Sequence, residues 1–110
     1  MHVRCAYFEG DVDPADREKF DRCIIDEVAP QIAKFPGCRE VRVLRAREYQ
    51  DGAPNFYMVL EHYYDSLDDI ETALGSENRT AVWNHLDKVM ALFKGRLTHV
   101  NHEVDLVAGG

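Results

Sequence analysis

Between Asn55 and Tyr64 the chain alternates with a period of two, the repeat of a β-strand, yet neither set of alternating residues suits water. Phe56, Met58, Leu60, His62 and Tyr64 fall on one side; Tyr57, Val59, Glu61 and Tyr63 fall on the other. An antiparallel sheet with one open face normally shows polar residues there. This strand therefore asks for cover on both faces. Helices of the same chain can supply one cover. For the other, the simplest candidate is the same face of a second copy, giving a two-fold homodimer joined through Tyr57, Val59 and Tyr63.

The flanking sequence supplies the rest of a β-α-β-β-α-β order. His2 to Glu9 alternates, with Val3, Cys5 and Tyr7 on one side and Arg4, Ala6 and Phe8 on the other. Asp13-Pro14 then caps a helix whose apolar residues Phe20, Cys23, Ile24, Val28, Ile32 and Phe35 recur at three- and four-residue steps. Pro30 is expected to bend or break that helix. Cys38 to Tyr49 reads as the second strand, and Asp51-Gly52-Ala53-Pro54 as the turn of an antiparallel hairpin into the third. Ser66, with Asp69 three residues on, caps a short helix closed by Gly75. Ser76 is expected to open another, carrying Val82, Trp83, Leu86, Val89, Met90 and Phe93 and stopped by Gly95. Arg96 to Val107 makes the fourth strand. The expected fold class is α+β and ferredoxin-like: a four-stranded antiparallel sheet ordered four-one-three-two, with the helices on one face.

At 110 residues the chain has length for one domain, residues 1–110, and for a core that needs no staples. A formal net charge of -7 opposes attraction to nucleic acid or to an anionic membrane, so neither is an expected partner. The start Met1-His2-Val3-Arg4-Cys5 has no basic segment followed by a long apolar run, and the expected location is the cytoplasm. Cys5, Cys23 and Cys38 form no Cys-x-x-Cys pair and read as ordinary thiols. No nucleophile elbow, phosphate loop or zinc signature is present.

Several stretches resemble landmarks of the EthD-like dimeric α/β-barrel proteins. Phe35-Pro36-Gly37-Cys38-Arg39-Glu40-Val41 resembles the Pro-Gly joint before their second strand. Glu61-His62-Tyr63-Tyr64-Asp65-Ser66-Leu67 is similar to the run that leads from their third strand into the next helix. Leu74-Gly75-Ser76-Glu77 and Thr98-His99-Val100-Asn101-His102-Glu103-Val104 resemble later landmarks, so the likeness spans nearly the whole chain. It implies a sheet-to-sheet dimer and a small pocket between sheet and helices, and no single reaction: the wider superfamily includes muconolactone isomerases, cofactor-free oxygenases and haem-handling proteins. One departure stands out. The family's first helix often carries histidine eight residues after a phenylalanine, and counting from Phe20 that position here holds Val28.

The expected site follows from these assignments. His62 interrupts an apolar row on the helix side, where an imidazole needs a partner or a ligand, and it is the candidate acid/base; in a related methylmuconolactone isomerase the matching position holds a cysteine proposed to be catalytic. Tyr64 and Tyr7 are expected to orient a polar group of the ligand, and Trp83, Met58, Ile24 and Val28 to wall the pocket. For each, plain packing is the competing reading. His99 and Glu103, four apart on a strand, are too widely spaced to hold one metal by themselves, and no histidine is singled out as a haem ligand, so neither a metal nor another cofactor is expected. The expected function is binding of a small, apolar, carbonyl-bearing molecule of catabolism or secondary metabolism. That binding serves either a cofactor-independent isomerase or oxygenase-like enzyme or a non-catalytic accessory protein.

Overall fold

The computed structural model describes residues 1–109. Strands β1 (His2–Val12), β2 (Glu40–Arg45), β3 (Phe56–Tyr64) and β4 (Phe93–Glu103) form one antiparallel sheet in the order β2-β3-β1-β4. This is the expected order read from the opposite edge. After a 3-10 turn at Pro14–Asp16, the first helical layer runs as α1 (Arg17–Cys23), a π turn (Ile24–Val28) and α2 (Ala29–Ile32). Helices α3 (Leu67–Leu74) and α4 (Asn78–Met90) complete the layer. Among the described residues, no helix is long and apolar enough to cross a membrane.

Pro30 neither breaks nor stops the first helix. It lacks the N–H that would bond the carbonyl four residues back, and the chain absorbs this by widening: Ala29 N–H donates to Ile24 O, five residues back. The helical segment runs on past Pro30 to Ile32, and Ile24, Val28 and Ile32 all remain buried. Ser66 caps α3 as expected, its Oγ accepting the Asp69 N–H at 3.1 Å. Ser76 does not cap α4; its hydroxyl turns back and donates to the Ala73 carbonyl at 2.6 Å.

Gly95 does not stop α4 either. The helix ends at Met90, and Gly95 lies inside β4 directly opposite Gly10 of β1, both at positive φ. A methyl group on either glycine would collide with backbone of the facing strand. The paired glycines therefore let β1 and β4 continue together as far as Val12 and Phe93, beyond the point where alternation fades.

The core lies on one face of the sheet. Met58, Leu60, His62 and Tyr64 of β3 point into it, as the alternation requires, together with Ala6 and Phe8 of β1. Tyr57 is a correction. The register of β1 and β3 slips between Phe8 and Glu9, where Tyr57 is the extra residue of a bulge that turns it to the same side as Met58. Its ring packs edge-on to Phe20, and its hydroxyl donates to Asp21 Oδ1 at 2.6 Å. Phe56 takes the opposite face and lies against Tyr7 with ring centroids 5.1 Å apart.

That second face carries Val3, Cys5 and Tyr7 of β1 with Val59, Glu61 and Tyr63 of β3. Tyr63 donates to Glu61 at 2.7 Å, Arg42 rests over the Tyr63 ring, and Tyr7 meets His102 Nε2 at 2.7 Å. Val3 and Cys5 are buried among these neighbours but stand outside the main core cluster.

Candidate functional site

Toward the end of the sheet that holds Arg4, His62 and His99, the helical layer does not close completely on the strands. A cavity of about 60 Å³ remains, room for about four waters. Val28 and Ile32 wall it from the first helical layer, Val82, Trp83 and Leu86 from α4, and Phe8 and Leu60 from the sheet. Into this apolar space come four polar side chains: Arg4 of β1, His62 of β3, Arg79 of α4 and His99 of β4.

His62 is 4% exposed, and its Nδ1 lies 2.6 Å from the Tyr64 hydroxyl. Among the described residues nothing hydrogen-bonds its Nε2, and that nitrogen is not among the atoms sealed from the surface, so it opens on the cavity. Burial, with the charge of Arg4 and then His99 beside it, pushes His62 down to about 4. At neutral pH it is an uncharged imidazole. Burial also raises Tyr64 well above the ordinary phenol range, with Cys38 adding to the effect, so Tyr64 keeps its proton. Two tautomers fit this pair: Tyr64 O–H donates to Nδ1 and Nε2–H faces the cavity, or Nδ1–H donates to Tyr64 O and the Nε2 lone pair faces it.

Arg4 is half-buried and donates from Nη1 to Asn101 Oδ1 at 3.1 Å. Burial and then the neighbouring Arg79 guanidinium lower it from its ordinary value. His99 remains open to solvent as a residue, at the mouth of the cavity. Even so, burial of its ring, followed by Arg4 and Arg79, pushes it to about 4. No group of three or more His, Cys, Asp or Glu side chains among the described residues is placed to hold a metal ion.

The expected site residues divide three ways. His62, Val28 and Trp83 line the cavity, and Trp83, 39% exposed, forms its rim rather than filling the core. Tyr64 stands behind His62 and reaches the cavity only through it. Met58 and Ile24 are fully buried in packed core away from the cavity, and Tyr7 is on the other face of the sheet, bonded to His102. Tyr7 is misplaced because both sides of β1 read as apolar, and Arg4, on the covered side, makes that side look like the wet one. Arg4, Arg79 and the inward role of His99 escape the sequence reading. The signal that betrays Arg4 is a charge in register with Ala6 and Phe8, two residues buried in the core.

No family model and no curated protein matches this chain. Solved structures do. An EthD family protein from Bacillus halodurans is 27% identical and superposes with a TM-score of 0.75, covering 96% of this chain and 99% of that one. The chain is similar to that EthD family protein along nearly its whole length. SnoaB, a cofactor-independent oxygenase from Streptomyces nogalater, is 18% identical at a TM-score of 0.64, covering 94% of this chain and 92% of that one. A dimeric protein of ferredoxin-like fold and unknown function from Bacteroides fragilis is 17% identical at a TM-score of 0.63, covering 94% of this chain and 96% of that one. The likeness to these last two is one of fold.

Proposed function

We propose that this EthD-like chain is a single-domain protein that binds a small, apolar, carbonyl-bearing molecule in the cavity between its sheet and helices, without a cofactor. The observation that carries this reading is His62, a buried imidazole with one nitrogen fixed by Tyr64 and the other opening on an apolar space. A polar atom held in that way is costly unless something accepts its hydrogen bond, and a ligand carbonyl oxygen would do so from Nε2–H. The cofactor-independent oxygenase among the structures of like fold is consistent with unaided chemistry in such a pocket.

The chemistry best matched to these groups is proton transfer beside a carbonyl. In the tautomer with its lone pair on Nε2, His62 removes a proton from the carbon next to the ligand carbonyl. The C–H electrons move into the new C=C bond, the carbonyl oxygen takes the negative charge, and Arg4 faces that charge. Return of the proton from Nε2–H regenerates the imidazole. A histidine near 4 is a weak base, and charge on the ligand that offsets Arg4 would strengthen it. The second reading is a non-catalytic accessory protein that binds the same ligand, favoured by Val28 standing where relatives often carry histidine.

The open face of the sheet fits a homodimer joined through Val59 and Tyr63, with Val3, Cys5, Tyr7 and Phe56 in place of Tyr57. The dimeric description of the Bacteroides fragilis protein supports it. Cytoplasmic residence and the absence of nucleic-acid and membrane partners belong to the same reading.

Hydrogen exchange tests the chemistry. In D₂O with 3-methyl-2-butanone, the protein is expected to speed deuterium uptake next to the carbonyl, and His62→Gln to abolish the effect while still binding. Binding without exchange in the parent protein selects the accessory reading, and failure of both this ketone and 3-methyl-2-oxobutanoate to bind in the cavity rejects both.

A further inference from the structure

The arginines of this chain are not treated alike. Arg17, Arg22, Arg39, Arg42, Arg45 and Arg96 each pair with a carboxylate, as do Lys88 and Lys94. Among the described residues, Arg4, Arg47 and Arg79 have no such pair, and two of these three line the same cavity. Among the described residues no Asp or Glu lines that cavity, in a chain whose acidic residues outnumber its basic ones by 20 to 13. Among the described residues, the only side-chain bond Arg4 makes is to a neutral amide, that of Asn101. The nearby histidines are His62 and His99, and neither supplies negative charge.

Two guanidiniums facing one apolar space repel each other, and a half-buried cation without a counter-charge is costly. Arg79 sits near the start of α4 and Arg4 on the middle strand β1, so the pair spans the mouth from helix to sheet. We propose that Arg4 and Arg79 form an anion clamp, and that the ligand of this pocket is a small monocarboxylate whose apolar, carbonyl-bearing body enters past Trp83 toward His62. This rests on the small-molecule reading above and names its substrate class: an oxo acid rather than a neutral ketone. The size agrees, since a cavity with room for about four waters takes a short branched body and leaves the carboxylate at the rim. The clamp also serves the chemistry. A carboxylate between Arg4 and Arg79 offsets the charge that holds His62 down and makes it a better base.

Trp83 is the only tryptophan and stands at the rim, so its emission reports on the site. Binding of 3-methyl-2-oxobutanoate and of its methyl ester to the whole protein should be compared by Trp83 emission, with saturation-transfer NMR as a check. The acid is expected to bind at least about ten-fold more tightly than the ester. Arg79→Gln, at an exposed position that should not disturb folding, and Arg4→Gln are expected to remove that preference. Arg47→Gln, outside the cavity, is expected to keep it. Equal binding of acid and ester, or a preference that survives both clamp variants, overturns the clamp and leaves the neutral-ligand reading standing. Failure of both probes to bind overturns the clamp and that reading together.

Discussion

The two ends of the layer between sheet and helices are built from the same elements and finished differently. At one end Phe8, Phe20 and Phe93 meet with ring centroids 5.6 to 5.8 Å apart, Tyr57 closes against them, and Ile24 and Met58 fill what is left. At the other end, four residues further along both the same helix and the same strand, Val28 and His62 border a cavity that also admits Arg4 and His99. A chain that packs these six large side chains together at one end, with Phe8 alone among them also reaching the cavity, has not lacked the means to close the other. The difference separates residues that hold the fold from residues whose arrangement suits a ligand.

The sharpest way to break this contrast is to truncate one residue from each end. Phe20→Ala, at a site with no exposure and aromatic neighbours on several sides, is expected to cost about 4 kcal/mol, read by urea unfolding. Trp83→Ala, at the rim, is expected to cost about 1 kcal/mol or less and to lose ligand binding by saturation-transfer NMR. Similar costs at the two positions would erase the distinction.

A pH titration of stability addresses the cavity end alone. His62 lies near 4 when folded and near its ordinary 6.5 when unfolded. Above 6.5 both states are neutral there, and His62 contributes no slope. As pH falls from 6.5 toward 4 the unfolded chain takes up a proton that the folded chain refuses, so stability drops, by about 3 kcal/mol in all. His99 shifts in the same direction and adds a smaller amount, because it is open to solvent. Denaturant midpoints measured across this window should slope in the parent and slope less in His62→Gln, where only the smaller contribution of His99 remains at this site.

Much of this was legible in the residues. Period-two alternation placed Met58, Leu60, His62 and Tyr64 on the covered face, and the turn at Asp51 to Pro54 joined the right pair of strands. Alternation failed at Tyr57, because a bulge adds one residue without leaving a mark in the sequence and reverses the side of what it displaces. Helical spacing grouped Ile24 with Val28 but could not divide them, since both lie on one apolar stripe and only the packing beneath tells filled from unfilled. Gly95 read as a helix stop because its true reason, close approach to Gly10, depends on a strand 85 positions away in the chain. Arg4 was hidden by the expectation that charge faces water.

Two smaller effects sharpen the comparison further. Ile24→Phe, overfilling the packed end, is expected to cost about 2 kcal/mol, whereas Val28→Ile adds one methylene beside free space and should stay within about 0.5 kcal/mol of the parent in the same unfolding assay. Tyr64→Phe removes the hydrogen bond to His62 Nδ1 and is expected to cost about 1 kcal/mol; a neutral result would mean that the imidazole does not depend on it.

The central claim is that His62 is held at one ring nitrogen and offered at the other, and nitrogen NMR of this imidazole tests it most directly. With 3-methyl-2-oxobutanoate added, the Nε2 resonance is expected to shift while Nδ1 stays close to its value in the free protein. Both nitrogens unmoved at saturating ligand, or an imidazole in the free protein that titrates near 6.5 like an exposed one, would contradict it.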